Sequence, residues 1–166
     1  NNTTLDGADL TAAHFFPAEI KFANTQNTRM PKVLASLDRT LQEIIADHGH
    51  WIESLGRRGH QADLSSVDLQ DLDFTGANLQ AAIMAMANLS HAKLQAGHFA
   101  MANLTGVLGL SADLSDTDLR GIRFDRANLA GASLRCARLG PMALVGGVGH
   151  RVNSSFKDAN LVGADL

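Results

Sequence analysis

Disulfides, membrane spans and an aromatic-rich core are all missing from this 166-residue chain. A single cysteine, Cys136, rules out an intrachain disulfide and fits a reducing, cytoplasmic compartment. No apolar run approaches the roughly 18 residues of a membrane-spanning helix. Tyrosine is absent, and one tryptophan and seven phenylalanines supply all the aromatics, so a core must be assembled from aliphatic and small side chains. A formal charge of −3 gives no general drive towards nucleic acid or an anionic membrane. Direct nucleic-acid binding and membrane attachment are therefore not expected. No signal peptide is visible, and Asn1 in place of an initiator methionine is consistent with a true N-terminus lying upstream.

What the chain has instead is a period of five. In ADLSSVDLQDLDFTGANLQ, residues 62–80, the bulky apolar side chains fall at Leu64, Leu69, Phe74 and Leu79. A helix face recurs about every 3.6 residues and a strand face about every 2, so neither accounts for the spacing. The register continues through Met84, Leu89, Leu94, Phe99 and Leu104, meets Gly109, and resumes at Leu114, Leu119, Phe124, Leu129, Leu134, Leu139 and Leu144. Two residues before each centre alanine is common, as at Ala62, Ala77, Ala82, Ala87 and Ala92. Immediately before it stands Asp or Asn, as at Asp63, Asp68, Asp73, Asn78 and Asn88. If each unit is a short extended piece plus a turn, the centre and the residue two before it point inward, because side chains alternate along extended chain. The other three positions then face solvent. Successive coils would pair at about 4.8 Å, the ordinary strand spacing.

The pattern resembles the pentapeptide-repeat family, whose A(D/N)LXX motif is matched by Ala62-Asp63-Leu64, Ala77-Asn78-Leu79, Ala87-Asn88-Leu89, Ala112-Asp113-Leu114 and Ala127-Asn128-Leu129. The resemblance implies an all-β chain with one α-helix: a right-handed quadrilateral β-helix with four repeats per coil. It covers residues 62–166, with a loop at 145–153, and part of an N-terminal repeat segment, 1–30. In that segment Leu5, Ala8-Asp9-Leu10 and Ala13-His14-Phe15 carry the repeat, and the register extends with falling quality through Ile20, Thr25 and Met30.

Between the two lies a stretch with another period. Leu34, Leu37, Leu41, Ile44, His48, Trp51 and Leu55 are three or four apart, which predicts an amphipathic helix within 31–58 that ends near Gly56. A solenoid exposes unpaired backbone and core at its first coil, so the helix is expected to cap it. A protein partner, or a second copy in a homodimer, is the alternative for the stripe. Near the other end, the step from Leu144 to Phe156 is twelve where ten would keep register, so two extra residues are expected in the glycine-rich loop. Because the chain ends inside a repeat, Ala164-Asp165-Leu166, either more protein follows or the last coil is open.

Candidate chemistry is thin. Residues twenty apart should stack, which aligns His98, Asp118 and Arg138, aligns Asp73, Lys93 and Asp113, and sets Asp71 beside His91. On a convex wall with no pocket to exclude water these are read as exposed charge ladders, not catalytic pairs. His48 and His50 are two apart on the helix and face different directions, so with His60 they do not read as a metal site. Val145 to Asn153 lacks the Lys-Ser/Thr of a phosphate loop. Cys136 has no metal-spaced partner. Neither enzyme activity, a cofactor nor a metal is expected.

The outer surface carries more. Between Ala62 and Asp118 there are seven Asp and one Lys, and between Leu119 and Arg151 six Arg and one Asp. Arg120, Arg123, Arg126 and Arg138 form the candidate charge surface. Ile83, Met86, Met101, Leu108 and Leu110 occupy outward positions and form the candidate interaction surface, with Leu108 or Leu110 able to turn inward beside Gly109. These features point to a non-enzymatic scaffold that binds a protein partner the sequence does not name. The resemblance supplies an alternative, since some pentapeptide-repeat proteins mimic duplex DNA and bind DNA gyrase, although those are acidic throughout and this chain has a basic half.

Overall fold

The computed structural model describes residues 4–8, 10, 23–28, 30–144 and 150–166. The repeats expected around Phe15 and Ile20, and the centre of the glycine-rich loop, lie outside the described residues. From residue 62 onwards the chain is a β-helix-like stack held by isolated parallel bridges. Asp63 pairs with Ile83, Asp68 with Asn88, Asp73 with Lys93 and Asn78 with His98, and each partner pairs again twenty residues later. Four bridges per twenty residues means four units per coil. Leu5 donates to Asn24 at 2.8 Å across the same interval, so Leu5 and Thr25 hold equivalent places in the N-terminal segment.

The unit is explained by counting its N–H groups. The centre donates to the next coil, as Leu64 does to Ile83 O at 2.7 Å. Two residues later Ser66 donates to Ala85 O at 2.9 Å, and Ile83, which precedes a centre, donates back to Ala62 O at 2.9 Å. The turn closes on itself, with Ala82 N–H donating to Leu79 O at 3.0 Å. Its third residue has positive φ, 60° at Asp71 and 59° at Ala81, the signature of a type II turn. One N–H remains, on the residue after the centre. Where the residue before the centre is Asp or Asn, its side chain takes it: Thr75 N–H to Asp73 Oδ1 at 2.9 Å, Ser90 N–H to Asn88 Oδ1 at 3.1 Å, Ser115 N–H to Asp113 Oδ1 at 3.0 Å. The polar residue of the motif therefore does more than face solvent; it completes the turn.

Inside, every described centre from Leu64 to Leu134 except Gly109 is a buried apolar residue, and Ala62, Ala82, Ala87, Ala92, Ala102, Ala112, Ala127 and Ala132 are buried beside them. At Gly109 neither neighbouring leucine is needed to fill the gap. A Cβ there would lie 2.8 Å from Leu129 Cδ2, so the next coil's leucine occupies the space.

The helix is shorter at both ends than the 31–58 stretch expected of it. Leu34–Ser36 form a 3-10 turn, and α1 spans Leu41–Glu53. Thr40 sets the start, because its hydroxyl accepts from Glu43 N–H while the Glu43 carboxylate accepts from Thr40 N–H. The end comes where Gly56 N–H reaches back to Trp51 O at 2.8 Å and leaves Leu55 86% exposed, off the buried stripe. Leu34, Leu37, Leu41, Ile44 and Ile45 pack on the solenoid core. Gly59 then brings the chain back so close that a Cβ would meet Asp47 O at 2.2 Å.

His48, fully buried, finishes the first rung. Ala62 N–H donates to its Nδ1 at 3.0 Å and its Nε2 lies 3.0 Å from Gln80 O. Both contacts are satisfied only by the neutral ring with its proton on Nε2. Trp51 stacks on the ring at 5.6 Å. The other two histidines stand apart: His60 contacts Asp47 at 2.8 Å and His50 is exposed.

At the far end two expectations are corrected. Leu144 is 40% exposed and is not a centre. Arg123 bridges to Ser155, Asn128 to Asn160 and Ser133 to Asp165, an offset of thirty-two. Phe156 therefore stands where Leu144 was expected, against Phe124 with ring centroids 5.3 Å apart and the planes tilted by 34°. The excursion is twelve residues, not two, and includes an antiparallel pair, β1 (Met142–Ala143) and β2 (Arg151–Val152).

Two predictions follow from the hydrogen-bond count and the cap. Asn88→Ala, which strands a buried N–H at Ser90, should lower unfolding free energy in urea by about 1–3 kcal/mol, whereas Lys93→Ala at the same place in the next wall should change it by less than about 0.5 kcal/mol. Burial holds the His48 imidazole below its ordinary pKa, opposed by the Gln80 carbonyl. The folded chain thus binds this proton less readily than the unfolded one. The stability it contributes is complete above about pH 6.5 and is lost as pH falls from there through the lowered folded value. Thermal midpoints across that window should slope in the wild type and be flatter in His48→Phe.

Candidate interaction surface

The five outward apolar residues do not form one open patch. Ile83 bridges Asp63 and Asn103, whereas Leu108 bridges Asn88 and Asn128, which puts them on neighbouring walls. Both take a place where other units carry the Asp or Asn acceptor, and neither side chain accepts a hydrogen bond. Leu108 is 9% exposed; Ile83, Met86, Met101 and Leu110 are half-buried. Glycines in the coil above explain the two methionines. A Cβ at Gly106 would meet Met86 Sδ at 2.4 Å, and one at Gly121 would lie 3.4 Å from Met101 Cγ, so each methionine lies over a glycine twenty residues on. The hairpin adds to this corner, for the same Gly121 Cβ would be 3.1 Å from Met142 Cβ and 3.2 Å from Val152 O. Ser154 anchors the return by accepting from Gly121 N–H at 3.1 Å and donating to Leu119 O at 3.1 Å. The expected exposure is thus reduced by packing that depends on glycine positions and on the insertion.

The four arginines divide into two pairs. Arg120 grips Asp118 through Nε at 2.8 Å and a terminal nitrogen at 2.5 Å, and Arg138 lies 3.9 Å from the same carboxylate. Asp118, only 13% exposed, is held below the usual carboxylate range chiefly by the Arg120 hydrogen bond. The column His98, Asp118, Arg138 is bridged as expected, and within it Asp118 holds Arg120 by hydrogen bonds while Arg138 stays largely exposed.

Arg123 and Arg126 belong to a different arrangement. With Thr105, Asp125, Lys157 and Asp158 they line a surface cavity of about 340 Å³. Lys157 and Asp158 come from the coil beyond the insertion, so no reading in steps of twenty brings them here. Asp125 is committed inward: the Ser155 hydroxyl and the Lys157 N–H, at 3.1 Å, both donate to its Oδ1. These hydrogen bonds, Ser155 foremost, hold its carboxyl below the ordinary value. His91 and His98 line no part of this cavity, and among the described residues no cluster of His, Cys, Asp or Glu could hold a metal ion. Nor is any described helix long and apolar enough to cross a membrane.

A stack of five-residue units with a filled aliphatic interior and parallel rungs defines a solenoid of the β-helix class. Residues 60–80, 73–108 and 111–140 match the family described as Pentapeptide repeats, in eight copies. Among solved structures it is similar to a pentapeptide repeat protein from the Arabidopsis thaliana thylakoid lumen, with 31% identity and a TM-score of 0.38 over 63% of this chain and 64% of that one. Rfr23, a pentapeptide repeat protein from the cyanobacterium Cyanothece 51142, shows 27% identity and a TM-score of 0.37 over 63% of this chain and 56% of its own. QnrB1, a plasmid-mediated fluoroquinolone resistance protein, shows 16% identity and a TM-score of 0.31 over 65% and 66%. The chain thus spans less than two thirds of the length of the first two. No curated protein sequence matches it.

The hairpin contact is testable with a paired control. Gly76 and Gly121 share a φ near 69°, but nothing lies within 4 Å of a Cβ at Gly76. Valine at either position should cost about 1–2 kcal/mol for the left-handed backbone. Only Gly121→Val should also lift the hairpin, seen as faster tryptic cleavage after Arg151.

Proposed function

We propose that this chain is a non-enzymatic scaffold: a right-handed quadrilateral β-helix whose outer walls bind a protein partner. One observation carries the reading. The interior is filled from Leu64 to Leu134, so whatever the molecule recognises must be met by outward side chains, on walls whose rungs repeat at a strand's spacing of about 4.8 Å. Charge gives these walls polarity, with the Asp-rich coils at one end and Arg123, Arg126 and Lys157 towards the other. The region around Ile83, Met86 and Met101, half-buried and flanked by the hairpin, adds apolar contact area. It suits a partner with complementary polarity along its length, not one of uniform charge.

The alternative is a DNA mimic directed at gyrase or another topoisomerase, motivated by the acidic first half. It is the weaker reading. Asp63, Asp68 and Asp73 lie on successive walls, and each accepts an N–H from its own turn, so they do not form a line spaced like the phosphates of a duplex. Gyrase supercoiling with and without a quinolone separates the two, using wild type and the double variant Arg123→Glu/Arg126→Glu, which spares the arginines fixed on Asp118. On the scaffold reading, wild type leaves supercoiling and quinolone inhibition unchanged, and the double variant loses the partner that wild type retains in pull-downs. Protection of gyrase by wild type at stoichiometric amounts would replace this reading with the mimic.

A further inference from the structure

We infer that the cavity beside Arg123 is a binding site for a phosphate monoester. The inference is independent of which protein the walls bind. It starts from how the chain's arginines are used. Arg39 is paired with Asp47 at 2.8 Å, Arg120 and Arg138 share Asp118, and Arg135 reaches Asp165 at 3.5 Å. Arg123, Arg126 and Lys157 make no such pair among the described residues, and neither do Arg57, Arg58 and Arg151; what sets the first three apart is that they line one concavity. Asp125, one of two carboxylates in the lining, accepts at Oδ1 from the Ser155 hydroxyl and the Lys157 N–H. Its charge offsets part of the cationic field, but its Oδ1 faces the chain it anchors. Thr105 also lines the cavity and its hydroxyl donates to Asn103 Oδ1 at 2.7 Å.

Three cations on neighbouring rungs, with no ion pair within contact distance though Arg123 and Lys157 both act on the Asp125 charge, match a compact anion with several acceptor oxygens. Two guanidinium groups offer planar forks suited to phosphoryl oxygens, and the ammonium adds a point charge. About 340 Å³ exceeds what a bare phosphate fills and leaves room for the ester substituent. The remaining carboxylate, Asp158, sits at a turn corner with φ of 58° and is exposed. It opposes a dianion and favours an ester whose substituent carries a positive or hydrogen-bond-donating group. A phosphorylated side chain on a partner and a free small phosphate share this chemistry.

Titration of the whole chain with inorganic phosphate and with O-phosphoserine, followed by amide NMR, tests the site. Saturable shifts should centre on Arg126 and Lys157. Arg126→Gln and Lys157→Gln should each weaken binding about tenfold, the loss of one charge-assisted contact. Asp158→Asn should tighten inorganic phosphate, and Arg135→Gln should change nothing. Both lysine and arginine positions are exposed, so a folding failure in one variant leaves the other to decide. Tighter O-phosphoserine binding would support the site and favour a phosphorylated partner, while equal or tighter inorganic phosphate would overturn the monoester assignment. Absence of saturable phosphate binding, or an equal loss in Arg135→Gln, overturns the inference.

Discussion

Everything in this chain depends on one hydrogen-bond requirement: each five-residue unit must place five backbone N–H groups, and its geometry accommodates four. The centre, the third turn residue and the residue before the centre reach neighbouring coils, and the turn closes a fourth bond internally. The fifth falls to a carboxylate or amide immediately before the centre. Alanine's small volume and leucine's larger one fill the inside, but they would fill other folds as well. Where Asp or Asn stands there, as at Asp73, Asn88 and Asp113, it saves the turn a buried N–H without a partner, a cost of about 1–3 kcal/mol; Ile83, Lys93, Leu108 and Arg123 hold the same place in other units and supply no acceptor.

The same requirement explains the ends. A coil satisfies its neighbours, so the first coil has groups with no neighbour. Here α1 delivers an aromatic heterocycle that accepts at one nitrogen and donates at the other, meeting Ala62 and Gln80 in a single side chain. A phenyl ring in that position would fill the volume and leave both backbone groups unanswered. Capping is thus a matter of hydrogen-bond polarity as well as apolar coverage, and it makes the end of the stack sensitive to protonation in a way its middle is not.

Much of the fold was legible because the period is a direct imprint of geometry. Leu64, Leu94 and Leu119 could be placed inside by counting, and the stacking of His98 on Asp118 on Arg138 followed from four units per coil. Three things escaped. The turn-closing bond of Asp73 or Asn88 has no signature beyond polarity, so these residues read as merely solvated. Leu144 keeps perfect register in the sequence yet lies in the hairpin, because periodicity reports spacing and not whether the coil continues. The cavity residues Lys157 and Asp158 meet Asp125 and Arg126 only once the insertion is known to be twelve long. Of the apolar side chains expected to face outward, Leu108 is buried, and Met86 and Met101 are half-buried over glycines twenty residues on, a packing that spacing alone does not show.

The insertion also shows what kind of change this architecture tolerates. Arg123 pairs with Ser155 as though the intervening excess were absent, and Met142-Ser155-Phe156, if joined, would supply the two residues leading to the next centre. The excursion leaves and rejoins the stack at one place, so the winding phase of every later coil is untouched. A solenoid of this type behaves like a counter that ignores whatever is looped out at a single step but is disrupted by one residue gained within a step. Length can therefore be added at such a point without limit from phase, which makes the hairpin a natural port for new chain, while the coils on either side keep their count.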